Sequence, residues 1–354
     1  MPDLNEVYRL HADSLVIDSH NDAIVSLIRR GGLSLSAQPS PTLAAREGLV
    51  SLLRGPLQPE ETLWNGQVSL SRLREGGIDC AFFAVDVTRA WKNHLAYAVD
   101  ALGYFLTDLE ELEGQVVVAR SAAEIEGARR EGRLAAVLVV ENSDALEGSL
   151  NALQLLHHAG VRSLTLTHNP SSWAAAGNAE SASGGGLTRF GERLVREMNR
   201  LGMLVDVSHI AERGFYDTLR VSSRPVIASH SCCAALCPHP RNLSDDQLRA
   251  LAGAGGVVGI TFVPSFLSEG WSYGAGAAEM LSRLLDHVDH AVRVAGIEHV
   301  GLGSDFDGGG TALPHAGEYP RLTEGLLARG YAPAEIRKIL GENTLRLLRA
   351  ALDR

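Results

Sequence analysis

Eight short apolar runs, each followed by a segment of helical period, leave this 354-residue chain few folds to choose from. The runs are LVIDSH (15–20), IDCAFFAV (78–85), LAAVLVVE (134–141), VRSLTLTH (161–168), MLVDVSH (203–209), PVIASH (225–230), GVVGITF (256–262) and HVGLGSD (299–305). Continuous apolar runs bounded by turns are what strands buried on both faces of a parallel sheet require. The segments between them place apolar residues three and four apart, and one, LTRFGERLVREMNRLG, ends at Gly202, a helix C-cap signal. Strand–helix alternation repeated eight times predicts a parallel (β/α)8 barrel of the TIM type, an α/β fold spanning residues 1–354 as one domain. A doubly wound open sheet is the alternative, but no GxGxxG turn follows the first run. Two insertions stand outside the alternation, at 31–67 after the first strand and at 169–186 after the fourth. The second, NPSSWAAAGNAESASGGG, is rich in small residues and reads as flexible.

In such a barrel the strands deliver their C-terminal ends to one face, where active sites sit. Here strand one ends in His20 and Asp22, strand three in Glu141, strand four in His168, strand five in His209, strand six in His230 and strand eight in Asp305. One histidine at a strand end is ordinarily a hydrogen-bonded structural residue. Six strands out of eight ending in metal-type side chains is a different matter, because burying them together without a cation is costly. His20 and Asp22 are two apart and share one side of an extended chain, so one ion can take both. Asp18 lies deeper on the same alternation and reads equally well as support for the ligands or as a structural carboxylate.

Imidazole and carboxylate ligands without cysteine suit Zn²⁺, and also Mn²⁺ or Fe²⁺. His20, Asp22, Glu141, His209, His230 and Asp305 are too many for one tetrahedral ion. They suffice for two, about 3.5–4 Å apart, sharing a carboxylate and a hydroxide, which is the equipment of a hydrolase. The histidines at 11, 94, 157, 158, 287 and 290 read as solvated surface. Cys80, Cys232, Cys233 and Cys237 read as small packed thiols and not as a disulfide framework.

The net charge of −10, from 32 basic and 42 acidic residues, disfavours nucleic acid and anionic membranes as partners. No apolar run approaches the roughly 18 residues of a membrane span. The N-terminal MPDLNEVYRLHADSL lacks the basic and apolar regions of a secretory signal, so a cytoplasmic location is expected.

Several longer stretches resemble the membrane (renal) dipeptidase family, peptidase family M19 of the amidohydrolase superfamily. They are DSHND (18–22), NGQVSLSRLREGGIDCAFFAV (65–85), LTLTHNPSSWA (164–174), LTRFGERLVREMNRLGMLVDVSH (187–209), PVIASHS (225–231), PRNLSDDQL (240–248) and GLGSDFDG (301–308). The resemblance implies a binuclear zinc centre, with His20, Asp22 and Asp305 on one ion, His209 and His230 on the other, and Glu141 bridging. It implies that Asp305 shuttles a proton to the leaving amine and that His168 stabilises the oxyanion. Arg241, assisted by Asn242, would hold the substrate's C-terminal carboxylate. The implied activity is hydrolysis of dipeptides with free termini, L-Xaa-D-Xaa among them, by a soluble homodimer. The rival readings are hydrolysis of N-acyl-amino acids or lactams on the same metals, and a noncatalytic metal-bound binding protein.

Two stretches depart from the family pattern. Many relatives carry a Glu-Gly pair followed by another small residue and His after strand three, where this chain has ENSDAL, and Asp144 offers a carboxylate for a cationic substrate group. ITFVPSF, after strand seven, lacks the polar or tyrosine side chains of some relatives. Asp307 reads as a loop-capping residue. The two insertions, by length and position, are expected to close the barrel mouth.

Overall fold

The computed structural model describes residues 2–29, 33–38, 40–45, 66–88, 92–271 and 277–353. Nine strands form one parallel sheet: β1 (Ile17–Asn21), β2 (Cys80–Asp86), β3 (Val116–Val118), β4 (Leu134–Glu141), β5 (Val161–Thr165), β6 (Leu204–Asp206), β7 (Ile227–Ser231), β8 (Val257–Ile260) and β9 (Val300–Leu302). Eight of them run in the order β1-β2-β4-β5-β6-β7-β8-β9, the eight strands expected from the sequence. The sheet curls back on itself where Asp22 N donates to Phe306 O at 2.9 Å and Asp305 N donates to His20 O at 3.0 Å. This is the expected (β/α)8 barrel.

The ninth strand, β3, pairs with Leu134–Ala136 on one edge of β4, and β5 takes over from Leu138. The run VVV is too short to stand out in the sequence as a buried strand.

Side-chain alternation divides the core in two. Ile17, Phe82, Ala84, Val137, Val139, Leu204, Ile227 and Val257 face the barrel interior, which is closed at the bottom by Leu345, Leu348 and Leu352 of the C-terminal helix Asn343–Leu352. The intervening residues, such as Phe83, Leu138, Val140, Leu164 and Val258, pack against the outer helices. Continuing the inner alternation past 82 and 84, and past 137 and 139, brings Asp86 and Glu141 to the barrel mouth, and the two are register partners.

Near the closing seam the interior is filled by backbone. Ser19 Oγ lies 2.8 Å from both Ser229 O and Leu302 O and shares its one proton between them, crossing the space left by Gly259 and Gly303. A Cβ on Gly303 would lie 1.9 Å from Ser229 O and 2.8 Å from Ser19 Oγ.

Three histidines depart from the expected solvated surface. His11, His287 and His290 are buried, because each sits on the inward side of its helix with ring partners waiting. His11 holds Thr323 Oγ1 at 2.7 Å and Gly76 O at 2.8 Å, and burial lowers its pKa. His287 bridges Cys233 N and Leu267 O, and His290 pairs with Asp245 at 2.7 Å. The four cysteines are buried free thiols, as expected. Among the described residues no helix is long and apolar enough to cross a membrane.

The segment 169–186 is not the flexible loop its composition suggests. It forms bridges Ala175↔Leu187 and Gly177↔Ile210, a 3₁₀ turn over Asn178–Ser183, and a buried Ala174–Ala176. Its small residues serve close packing: a Cβ on Gly177 would lie 2.3 Å from the carbonyl oxygens of Asn169 and Pro170. The central part of the first insertion, 46–65, lies outside the described residues.

Gly303→Ala is expected to destabilise the fold by about 3 kcal/mol, because the clash is with backbone. Gly253→Ala, with nothing within 4 Å of its Cβ, is the control and is expected to be neutral or slightly stabilising. Urea unfolding midpoints of the two variants compare them directly.

Candidate metal centre

All six expected metal ligands come to the barrel mouth. Candidate donor atoms of His20, Asp22 and Asp305 lie within 4.8 Å of one another, as do those of His20, Glu141 and His230. A third set joins Glu141 and His209 to His168, which the sequence suggested only as an oxyanion partner. Glu141 is the centre: its Oε1 is 3.0 Å from His209 Nε2 and 3.5 Å from His230 Nε2, and its Oε2 is 3.9 Å from His20 Nε2.

The backbone is bent to reach this arrangement. His209 and Asp305 have φ of 66° and 58°, in the left-handed region that non-glycine residues seldom occupy. Asn142, next to Glu141, has φ 80° and ψ 117°, a glycine conformation at the place where the family pattern has glycine. Its side chain compensates locally, Oδ1 accepting from Asp144 N at 3.0 Å.

The imidazoles are held from behind. His209 Nδ1 lies 2.9 Å from Asn169 Oδ1, and an amide oxygen only accepts, so Nδ1 carries the proton and Nε2 a lone pair. His230 Nδ1 lies 2.8 Å from Ser229 Oγ. The two Nε2 atoms are 2.8 Å apart, both facing Glu141 Oε1. Neither ring nitrogen of His20 has a hydrogen-bond partner among the described residues.

Charge points the same way. Burial raises the Glu141 pKa far above the usual carboxylate range, reinforced by Asp22, Asp86 and Asp305. Burial, with Arg241 and His168 adding to it, pushes His20 down to about 3, and His209 and His230 are also driven well down. Neutral imidazoles with lone pairs turned onto a carboxylate fit a bound cation and little else, and this nitrogen and oxygen donor set suits zinc.

The remaining expected residues have mixed fates. Arg241 is buried beside the centre; its Nη2 donates to His230 O at 2.9 Å and its guanidinium lies 5.4 Å from the Phe266 ring centroid. Asp305 and Glu141 help keep it charged against the cost of burial. Asn242 has its amide nitrogen committed to the carbonyls of Cys237 and Phe266, so it buttresses the Arg241 loop and offers only an acceptor oxygen. Asp18 accepts from Ser304 N and Ser304 Oγ, both at 2.7 Å, tying β1 to the residue before Asp305, with burial raising its carboxyl to about 6. Asp307 accepts from the backbone of Gln67 and Val68, as a loop-capping residue should. Asp144 Oδ1 accepts from Trp173 N at 3.0 Å, so this carboxylate anchors the 169–186 segment.

Asp86 and Asp206 are buried carboxylates near the centre that the sequence does not single out. Asp86 is buried at the end of β2, paired in register with Glu141, one residue beyond the apolar run that ends at Val85. The signal available was an acidic residue directly after a buried strand. A cavity of ≈ 360 Å³ opens beside His209 and Arg241, lined also by Asn178, Ile210, Ser231 and Gln247.

The model of the membrane dipeptidase family, peptidase family M19, matches residues 4–353. The chain belongs to this family. Dipeptidase verJ of Clonostachys rogersoniana is 34% identical over 297 residues, 79% of this chain and 74% of that protein. The solved structure of dipeptidase AC, a metallopeptidase of family M19, superposes with a TM-score of 0.81 at 30% identity, covering 96% of this chain and 99% of that one. A metallopeptidase from Rhodobacter sphaeroides, solved with a phosphinate mimic of the dipeptide L-Ala-D-Ala, gives 0.80 at 29% identity over 96% and 100% of the two chains. This protein is thus a metallo-dipeptidase of family M19 with a (β/α)8 barrel fold.

Zinc added to metal-stripped protein is expected to raise the unfolding temperature, by linkage amounting to about 4 kcal/mol at a thousandfold excess over Kd. Glu141→Gln is expected to abolish most of that rise. Without metal the same variant should unfold at or above the wild-type temperature, since it removes a carboxylate crowded by three others. Differential scanning calorimetry with and without zinc checks both.

Proposed function

We propose that this dipeptidase uses two zinc ions and cleaves dipeptides with free termini, L-Xaa-D-Xaa among them. The observation that carries the reading is the convergence of His209 Nε2, His230 Nε2 and Glu141 Oε1 within 2.8–3.5 Å. His20, Asp22 and Asp305 would hold one ion and His209 and His230 the other, with Glu141 shared. When bound, the metal pair supplies Lewis acidity and a water acidic enough to attack at neutral pH.

The chain supplies the rest. Arg241, its guanidinium steadied by His230 O and Phe266, pairs with the substrate's C-terminal carboxylate. The cavity beside it has room for the C-terminal residue. His168, stacked on His209 with ring centroids 4.2 Å apart, donates to the oxygen of the scissile carbonyl as charge develops there. Asp305 accepts the proton of the attacking water on its carboxylate and passes it to the leaving amine nitrogen. The phosphinate mimic of L-Ala-D-Ala bound by the Rhodobacter sphaeroides relative supports including a C-terminal D-residue.

Zinc-loaded protein is expected to release free amino acids from L,L and L,D dipeptides and to leave N-acyl-amino acids and lactams intact. Cleavage of the capped compounds alone would move the activity to the rival amidohydrolase chemistry. Asp305→Asn is expected to lower kcat by at least 10²-fold. Arg241→Met is expected to act mainly by raising KM. Initial rates by amino-acid chromatography measure all of these.

A further inference from the structure

We propose that Asp206, acting through Ser229, is a positioning residue that fixes the metal-facing tautomer of His230. The inference rests on the reading of this mouth as a metal centre.

Asp206 is the last residue of β6 and is fully buried, beneath the histidines. Four hydrogen bonds converge on its carboxylate. Oδ1 accepts from Ser208 N at 2.9 Å and Ser229 N at 3.1 Å. Oδ2 accepts from Thr165 Oγ1 at 3.0 Å and, over a short contact, from Ser229 Oγ. Both oxygens serve as acceptors, with the Ser229 hydroxyl donating to Oδ2, so the single hydroxyl proton of Ser229 is committed to Asp206. What Ser229 Oγ has left is a lone pair, and His230 Nδ1 lies 2.8 Å from it. His230 must therefore donate from Nδ1, which leaves Nε2 unprotonated and turned toward His209 Nε2 and Glu141 Oε1.

A neutral serine alone would not impose this, because a hydroxyl donates as readily as it accepts. The buried carboxylate behind it removes the choice. His209 reaches the same tautomer by a separate route, through Asn169. Loss of Asp206 should therefore weaken only the ion that His230 serves.

Asp206 also crosslinks β5, β6 and β7, where β6 and β7 share one register pair, Asp206↔Ile227. The test must separate that structural role from positioning. Asp206→Asn turns an acceptor into a donor and frees the Ser229 hydroxyl. Ser229→Ala removes the relay but leaves Asp206 its two backbone donors and Thr165. Calorimetric titration of zinc into metal-stripped protein is expected to give two equivalents in the wild type. In either variant one equivalent should bind normally and the other about 10–100-fold more weakly. The double variant should be no weaker than the singles, since one relay is being cut twice.

The proposal is overturned if Ser229→Ala, folded as judged by circular dichroism, binds both equivalents with wild-type affinity. It is equally overturned if the variants lower the unfolding temperature of metal-free protein while both affinities stay unchanged. A wild type that takes up no zinc would remove the metal-centre reading itself, a result distinct from either of these. Should Asp206→Asn fail to fold, Ser229→Ala alone decides.

Discussion

Three atoms with lone pairs, His209 Nε2, His230 Nε2 and Glu141 Oε1, occupy one small volume at the mouth of the barrel. Each on its own is an ordinary buried group. Together they crowd one another, and burial with the nearby Asp22, Asp86 and Asp305 makes a charged Glu141 costly unless a cation offsets it. Much of the surrounding architecture holds these groups against their mutual repulsion. The left-handed backbone at His209 and Asp305 is the local strain that results, at the residues the proposed chemistry uses.

The barrel makes the convergence possible because parallel strands end at one rim. The seam between β1 and β9 is where this works most tightly. Asp18 binds Ser304, Asp305 N donates to His20 O, and Asp22 N donates to Phe306 O, so the ligands of two chain ends are placed by one set of bonds. Below it, Ser19 reaches across to Ser229 O because Gly259 and Gly303 leave the room. That same Ser229 stands behind His230. Closure of the fold and placement of the metal-facing groups therefore share residues, and a change in one is felt in the other.

Eight strands and six candidate ligands were legible because both follow from local pattern: apolar runs, and what ends them. What escaped depends on tertiary context. β3 is three residues long and is a strand only because β4 has a free edge there. His11, His287 and His290 looked like surface residues because a histidine on a helix carries no mark of which side is covered. The small residues of 169–186 suggested mobility, yet small residues also permit close backbone packing, and here Asn169 and Asn178 hold His209 from two directions. Asp86 lies one residue past the apolar run, where hydrophobicity no longer marks the strand. Asn142 shows the reverse: the departure from glycine was visible, but its backbone conformation was not.

The two sides of the centre are built on different principles. His209 and His230 each have a partner at Nδ1, so that side is defined by orientation. His20 has no hydrogen bond at either ring nitrogen among the described residues; three carboxylates, Asp22, Glu141 and Asp305, gather near it, and its ring lies against His230. That side is defined by charge. A cation attracted by carboxylates tolerates small displacements, because Coulomb attraction falls slowly with distance. One held by imidazole lone pairs does not, because the lone pair must point at it. The proposed Asp206–Ser229 relay stands behind His230, on the side where orientation matters most.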